Sequence, residues 1–386
     1  YDISTWKSTL MRIGFDAKRA YQNFTGLGNY SRDLIENLIE LYPSNEYRLF
    51  APKENKNPRL NYLSSHKSVS TIFPETPLNK TFKGLWRSIN MEKSIIKNEI
   101  DVYHGLSNEI PRIKSHNIPY VVTIHDLIFK RYPRNYRNID RKIYNAKFRY
   151  AVKHADLTIA ISEQTKNDIV NYYDADPEKI KVIYQTCHKN FRKEYSSELL
   201  HHIKKKFNLP DQFILNVGTI ETRKNLISII NAMTLMKIKA PLVVVGKKTK
   251  YMNFINVQLK KLKFDPSQII FLHDVSVEDL PGIYQLSSLF VYPSIFEGFG
   301  IPILEALCCG IPVITTKGGC FGEAGGEYSM YVEPLNMEEL AHKMDECLTY
   351  SKKREKMIIK GLLHAKRFEP EILSKELMQA YHGLLQ

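Results

Sequence analysis

Hydrophobic positions along this chain fall in short unbroken runs, separated by longer stretches in which apolar residues recur every three or four positions. The runs RIGFDA, YRLFA, VSTIF, VYHG, YVVTI and LTIAIS occupy the first half, and FILNVG, PLVVVG, IIFLH, LFVYP and PVITT the second. A continuous apolar run bounded by turn residues predicts a strand buried on both faces, and the spacing between runs predicts amphipathic helices. Strands alternating with helices form parallel sheets. A length of 386 residues exceeds one ordinary core. The pattern therefore predicts an α/β chain of two doubly wound, Rossmann-like domains, with a ligand cleft faced by the carboxyl ends of their strands.

Apolar periodicity breaks in KVIYQTCHKNFRKEYSS, which puts the boundary near Asn190, with a first domain over 11–190 and a second over 191–370. The remaining 371–386 form a last helix. The opening YDISTWKSTL, residues 1–10, precedes Met11 and reads as a leader or extension outside the fold.

Hydrophobic residues at 43% and charged ones at 25% describe a soluble globular protein. No apolar run approaches the ~20 residues of a membrane span, and no secretory signal opens the chain, so the expected location is the cytoplasm. Cys187, Cys308, Cys309, Cys320 and Cys347 form no C-x-x-C pair and suggest neither disulfides nor zinc. The net charge of +14 changes the picture more. Arg131, Arg134, Arg137, Arg141, Lys142, Lys147, Arg149 and Lys153 surround Asp140 as the only nearby acid. Tyr144, Phe148 and Ala151 would form the inner face of a helix there, and the bases its outer face. Such a face is either simply solvated or attracts anionic lipid headgroups, at about 1 kcal/mol for each base near the surface. No nucleic-acid motif accompanies the charge, so nucleic acid is not an expected partner.

Candidate chemistry concentrates in SIFEGFGIPILEALCCGIPVI, from Ser294 to Ile314. The order is strand, loop, helix, with Glu297 and Gly298 in the loop and Pro302 early in the helix. Backbone N–H groups near Phe299 and Gly300 would face a loop-bound anion, and the helix dipole favours one. Glu305 is the only charged side chain of an otherwise apolar helix. It needs a partner such as a vicinal diol, or else serves as a helix-dipole cap. In NVGTIETRKNL, Arg223 and Lys224 stand at a second helix start and suit a diphosphate. His125, with Asp126, ends the run YVVTI at a position able to donate a hydrogen bond to a sugar hydroxyl, or to act as structure. In TGLGNY, Gly26 and Gly28 would let backbone approach a phosphate or acceptor ahead of the helix SRDLIENLIELY. Asp174-Ala175-Asp176 has a D-x-D spacing but reads as a surface loop, not a metal site.

Glu297 and Glu305, eight apart in EGFGIPILEALCCGIPVI, resemble the glutamate pair of the family 4 retaining glycosyltransferases of the GT-B fold. The resemblance continues through VITT, the Gly318-Gly319 turn and YVEPLNMEELAHKM, and upstream in FILNVGTIETRKNL and VVTIHDLIF. It implies that Lys224 and Arg223 hold the donor diphosphate with N–H groups near Gly300, that Glu305 binds the ribose diol, and that Glu297 holds donor-sugar hydroxyls. It puts His125 beside the donor sugar and Gly28 in the first glycine loop. Gly26, His104 and Asp126 are acceptor-side candidates, with His104 equally readable as structural and Asp126 as orienting His125 or capping the loop. Val275 would lie near the base. Thr219 departs from the basic residue many members carry, and Tyr184-Gln185-Thr186 from a Pro-Asn-Gly-like turn. The implied reaction proceeds on one face of the sugar without cofactor or metal. Its donor is GDP-mannose first or a UDP-sugar, and its acceptor a glycan or lipid-linked glycan. A sugar-nucleotide epimerase and a non-enzymatic anionic-lipid-binding protein are the competing readings.

Overall fold

Every one of these apolar runs becomes a strand among the residues described by the computed structural model, 10–23, 25–55, 58–112 and 117–386. Apart from Leu10, the leader proposed for residues 1–10 lies outside the described residues. The chain divides into two compact units. One runs to Thr186 and resumes at Glu369, and the other spans Cys187–Phe368.

In the first unit the strands are β1 (Arg12–Asp16), β2 (Glu46–Phe50), β3 (Val69–Ile72), β4 (Val102–Gly105), β5 (Tyr120–Ile124), β6 (Leu157–Ala160) and β7 (Ile180–Val182). They pair in parallel in the order β3-β2-β1-β4-β5-β6-β7. β4 and β5 are buried along their whole length, which is why they read as unbroken apolar runs. The helix Pro370–Gly383 belongs to this unit and packs on the helix Gly26–Leu41.

That second helix begins at Gly26, five residues before the expected Ser31, so TGLGNY is its first turn and not a loop ahead of it. Thr25 is extended, and its N–H donates to the Asn23 carboxamide oxygen at 2.8 Å, which launches the helix early. The basic helix Asn138–His154 buries Phe148 and Ala151 as expected. Tyr144 is a correction: it is 40% exposed and meets Phe129 and Tyr136 only through ring edges.

The second unit holds β8 (Ile214–Val217), β9 (Leu242–Val245), β10 (Ile269–Leu272), β11 (Leu289–Tyr292), β12 (Val313–Thr316) and β13 (Met330–Val332). All pair in parallel, in the order β10-β9-β8-β11-β12-β13. From β8 the chain steps outward to β9 and β10, then crosses back to β11 on the other side. The loops after β8 and β11 therefore diverge from neighbouring strands at the carboxyl edge, the switch point where doubly wound sheets open a crevice. Ile214, Leu242, Val244, Leu289, Val291 and Ile314 pack with Ile229, Ile230 and Met233 of the helix Leu226–Met236 to hold that edge rigid. Among the described residues, no helix is long and apolar enough to cross a membrane.

Candidate active site

The loops leaving β8 and β11 are laced together by backbone. Gly218 follows β8 at φ 150°, and Thr222–Lys224 make one 3-10 turn that ends on Asn225 in the left-handed region at φ 56°. Asn225 donates its side-chain N–H to the Pro293 carbonyl at 3.2 Å, and the Ile295 N–H donates to the Arg223 carbonyl at 2.9 Å. These bonds bring Arg223 and Lys224 against the segment that carries Glu297.

One carboxylate oxygen organises the result. Glu297 Oε1 receives Lys224 Nζ at 2.7 Å, an Arg223 guanidinium nitrogen at 2.7 Å, Ser294 Oγ at 2.6 Å and the Tyr292 hydroxyl at 3.0 Å. Arg223 also reaches Glu221 at 2.7 Å and the Phe296 carbonyl at 2.6 Å. Lys224 also donates to the Tyr292 hydroxyl, and its ammonium lies 4.9 Å from the centre of that ring. Burial works against a charge here, but Lys224 and then Arg223 outweigh it and bring the Glu297 carboxyl down to about 2. Burial pulls the Lys224 ammonium below its usual range, with Glu297 resisting. Arg223 is held above its ordinary value against burial by the same carboxylate.

The helix Ile301–Cys308 starts behind Gly300, whose φ of 105° suits glycine, and Pro302 stands in its first turn. Phe299 is buried against Phe368 at a centroid distance of 5.4 Å, so its ring is core and only its backbone belongs to the loop. Gly298 is half-buried beside Glu297. Glu305 is the fifth helical residue, one turn too far in for a dipole cap. Its partner is the Tyr284 hydroxyl, which donates to Oε2 at 2.8 Å. Burial nevertheless raises the Glu305 carboxyl to about 7, with that bond and Lys224 pulling the other way. Thr219 follows β8 and Val275 follows β10, both half-buried at the same carboxyl edge of the sheet.

In the first unit, His125 sits at the carboxyl end of β5 with both ring nitrogens engaged. Nε2 is 2.9 Å from the Leu106 carbonyl, which only an N–H can satisfy, so Nδ1 accepts from the Gln185 amide at 3.1 Å. Burial pushes this imidazole down to about 4, and the edge-on Tyr30 ring lies 4.6 Å away. Asp126 accepts the Ile128 N–H at 3.0 Å at the start of the short helix Ile128–Arg131. Of the two readings of His104, acceptor-lining or structural, its surroundings fit the structural one. It is fully buried, with Nδ1 2.6 Å from the Tyr381 hydroxyl and Nε2 2.8 Å from Thr123 Oγ1. It fastens the helix Pro370–Gly383 to the sheet. Gly26 faces open space, whereas a Cβ on Gly28 would stand 1.6 Å from the Asn23 carbonyl oxygen, so what approaches Gly28 is the chain itself. Asp174 ends a helix in the left-handed region, and Asp176 accepts the Glu178 N–H at 3.0 Å.

Sequence reasoning missed Tyr292, Ser294, Tyr284 and Gln185. Tyr292 closes an apolar strand next to the loop and could have been flagged as the polar end of β11. Tyr284 reaches Glu305 from another helix and left no local signal, and Gln185 showed only as part of the turn that departs from the family pattern.

Two family models match the chain, glycosyl transferases group 1 over residues 199–363 and glycosyltransferase family 4 over residues 24–187. The O-antigen chain mannosyltransferase B of Escherichia coli is 26% identical over 387 residues, covering 96% of this chain and 99% of that protein. A serotype-specific mannosyltransferase of Escherichia coli is 30% identical over 247 residues, 61% of this chain but only 30% of its own length. Among solved structures, Anabaena HepE in complex with UDP-glucose superposes with a TM-score of 0.77 at 18% identity, covering 97% of this chain and 100% of that one. At that identity the likeness bears on the fold.

Proposed function

The chain belongs to the family 4 glycosyltransferases of the GT-B fold, and on that premise we propose that it moves a hexose from a nucleoside diphosphate sugar to a glycan or lipid-linked acceptor in surface polysaccharide synthesis. The donor we infer is GDP-mannose and the outcome retention of configuration. The mannosyltransferase names of the relatives support the sugar.

The observation that carries this reading is the convergence of Arg223 and Lys224 on Glu297 at the switch point between β8 and β11. A departing diphosphate needs preorganised positive charge, and two cations fixed by a buried carboxylate supply it without reorganisation. The leaving group's charge then falls on Lys224 and Arg223, so the reaction is read as independent of metal and cofactor. As the diphosphate takes its share of the cations, Glu297 turns hydrogen-bonding capacity towards the sugar hydroxyls. Glu305 accepts from the ribose diol, with Tyr284 orienting its carboxylate. Gly298, Gly300 and the Phe299 backbone line the phosphate side. Thr219 and Val275 border the nucleotide.

On the first unit, the family reading assigns the sugar side to neutral His125 and the acceptor side to Gly26 and Asp126. Because Leu106 and Gln185 hold both nitrogens of His125, its part is to shape the site as a fixed neutral wall. No side chain is assigned as a nucleophile on the sugar, and the leaving phosphate helps deprotonate the acceptor. A lipid-linked acceptor places the working enzyme on the cytoplasmic side of an anionic membrane.

Calorimetry with GDP, UDP, GDP-mannose, UDP-glucose and UDP-N-acetylglucosamine tests the donor. A ligand at a hundred times its dissociation constant stabilises by about 2.7 kcal/mol. GDP selectivity is expected; UDP selectivity would replace the donor, and silence from all five would overturn the reading. NMR of the product's anomeric carbon tests retention, and incubation without acceptor separates transfer from epimerisation.

A further inference from the structure

The +14 charge is not spread evenly, and where it gathers the surface is also apolar. Residues 76–97 and 134–154 together hold twelve Lys and Arg against two acids, Glu92 and Asp140. In the first stretch, Trp86, Met91 and Ile95 point into the core, which leaves Leu78, Phe82, Leu85 and Ile89 on the opposite side. Phe82 is 56% exposed and Leu78 57%. In the helix Asn138–His154, Ile139 and Ile143 are 66% and 47% exposed.

These two apolar groups lie on one surface. Ile139, Ile143, Lys147 and Tyr150 follow each other at helical spacing and share a helix face. Lys147 and Tyr150 in turn line a 300 Å³ depression together with Leu85, Ile89 and Arg112. Among the described residues, the one carboxylate in its lining, Glu109, is already bound by Arg87 at 2.6 Å and Lys147 at 3.1 Å.

A merely solvated basic face has no reason to expose six large apolar side chains. A protein partner of acidic character would use the charge but leave these exposed apolar side chains without a role. A face with bulky apolar residues between bases matches an interfacial membrane surface, where side chains such as Phe and Leu enter the headgroup boundary and Lys and Arg meet anionic lipid. We propose that Leu78, Phe82, Leu85, Ile89, Ile139 and Ile143, accompanied by Lys80, Lys83, Arg137 and Lys142, form a docking surface for an anionic bilayer. The inference deepens the membrane-side reading above by assigning the residues that touch lipid.

The test is co-sedimentation of the full chain with vesicles of phosphatidylcholine alone or with 30% phosphatidylglycerol, alongside calorimetry with GDP in the same preparations. Binding to the anionic vesicles only is expected, weakened by salt. At about 1 kcal/mol per cation, K80Q/K142Q should lower the partition coefficient roughly 30-fold. I139S/I143S should lower it by about tenfold or more with an unchanged melting temperature. Equal binding by the parent and both double variants would overturn the proposal, as would no binding to either vesicle. A dimer by light scattering that I139S/I143S dissolves would also overturn it and assign the face to a second copy. Because nucleotide binding is read separately, loss of the donor reading and loss of the docking surface are distinguishable.

Discussion

Lys224 Nζ lies 2.7 Å from Glu297 Oε1, and this pair bridges the two loops that diverge at the switch point of the second sheet. It joins two residues 73 positions apart in the chain. Because both are largely buried, removing either leaves an opposite charge with fewer partners than its burial demands.

Lys224→Ala should therefore lower kcat/KM by about 2–4 kcal/mol of transition-state stabilisation, roughly 30- to 1000-fold. Glu297→Gln should also lower kcat, while nucleotide affinity falls less because both cations remain. Steady-state kinetics with a fixed acceptor measure both. An Ala variant with parental turnover would remove Lys224 from the chemistry.

Glu305 should make stability and binding move in opposite directions. Its carboxyl is raised from 4.5 to about 7, so the folded chain holds a proton that the unfolded chain releases between those values. The resulting stability is complete below pH 4.5 and lost as pH rises through 7. Above pH 7, Glu305→Gln should thus stabilise the ligand-free protein by on the order of 2–3 kcal/mol, with the gain shrinking towards pH 5. The same variant should weaken nucleotide binding. Thermal melts across pH 5–8 with and without GDP would show it, and a pH-independent difference would refute the linkage.

His104 predicts an acid sensitivity of the opposite sign. Burial lowers its imidazole from 6.5 to about 3, so the stability it contributes is full above pH 6.5 and lost as pH falls towards 3. Each proton withheld costs up to about 1.4 kcal/mol per pH unit across that window. His104→Gln keeps hydrogen-bonding capacity towards Thr123 and Tyr381, so its denaturation midpoint should fall less steeply between pH 6.5 and 5. Parallel curves for parent and variant would contradict this.

The two glycines of TGLGNY should respond oppositely to alanine. Gly26 faces open space at the start of the helix, and Gly26→Ala should be neutral or gain up to about 1 kcal/mol from propensity. Gly28→Ala drives a methyl into the Asn23 carbonyl and should cost about 3 kcal/mol or more through backbone displacement. Chemical denaturation of both variants checks the contrast. Lost transfer activity in a stable Gly26→Ala protein would point to acceptor contact at that turn.

Much of the fold was legible because a parallel strand covered on both faces must be apolar throughout, and such runs as YVVTI and PLVVVG have no other efficient use in a chain this long. The three-residue strand β13 was too short to register as a run. Glu297, Lys224 and Glu305 were legible for a related reason. Glu297 stands beside Gly298 in a loop between strand and helix, Lys224 stands at a helix start, and Glu305 is the one charge in an apolar helix, and each conflicts with local packing unless something binds there.

What the sequence by itself determined was the alternation, the parallel class of both sheets and the positions of the loops that carry charge, since each follows from local periodicity. Only the tertiary structure decided that Arg223 and Lys224 share one carboxylate oxygen, that Tyr284 meets Glu305, that His104 is sealed against Tyr381, and that Tyr144 faces solvent. Those outcomes depend on strand order and on which helix covers which face. They join residues far apart in the chain, and no local pattern of hydrophobic and polar positions encodes a distance between them.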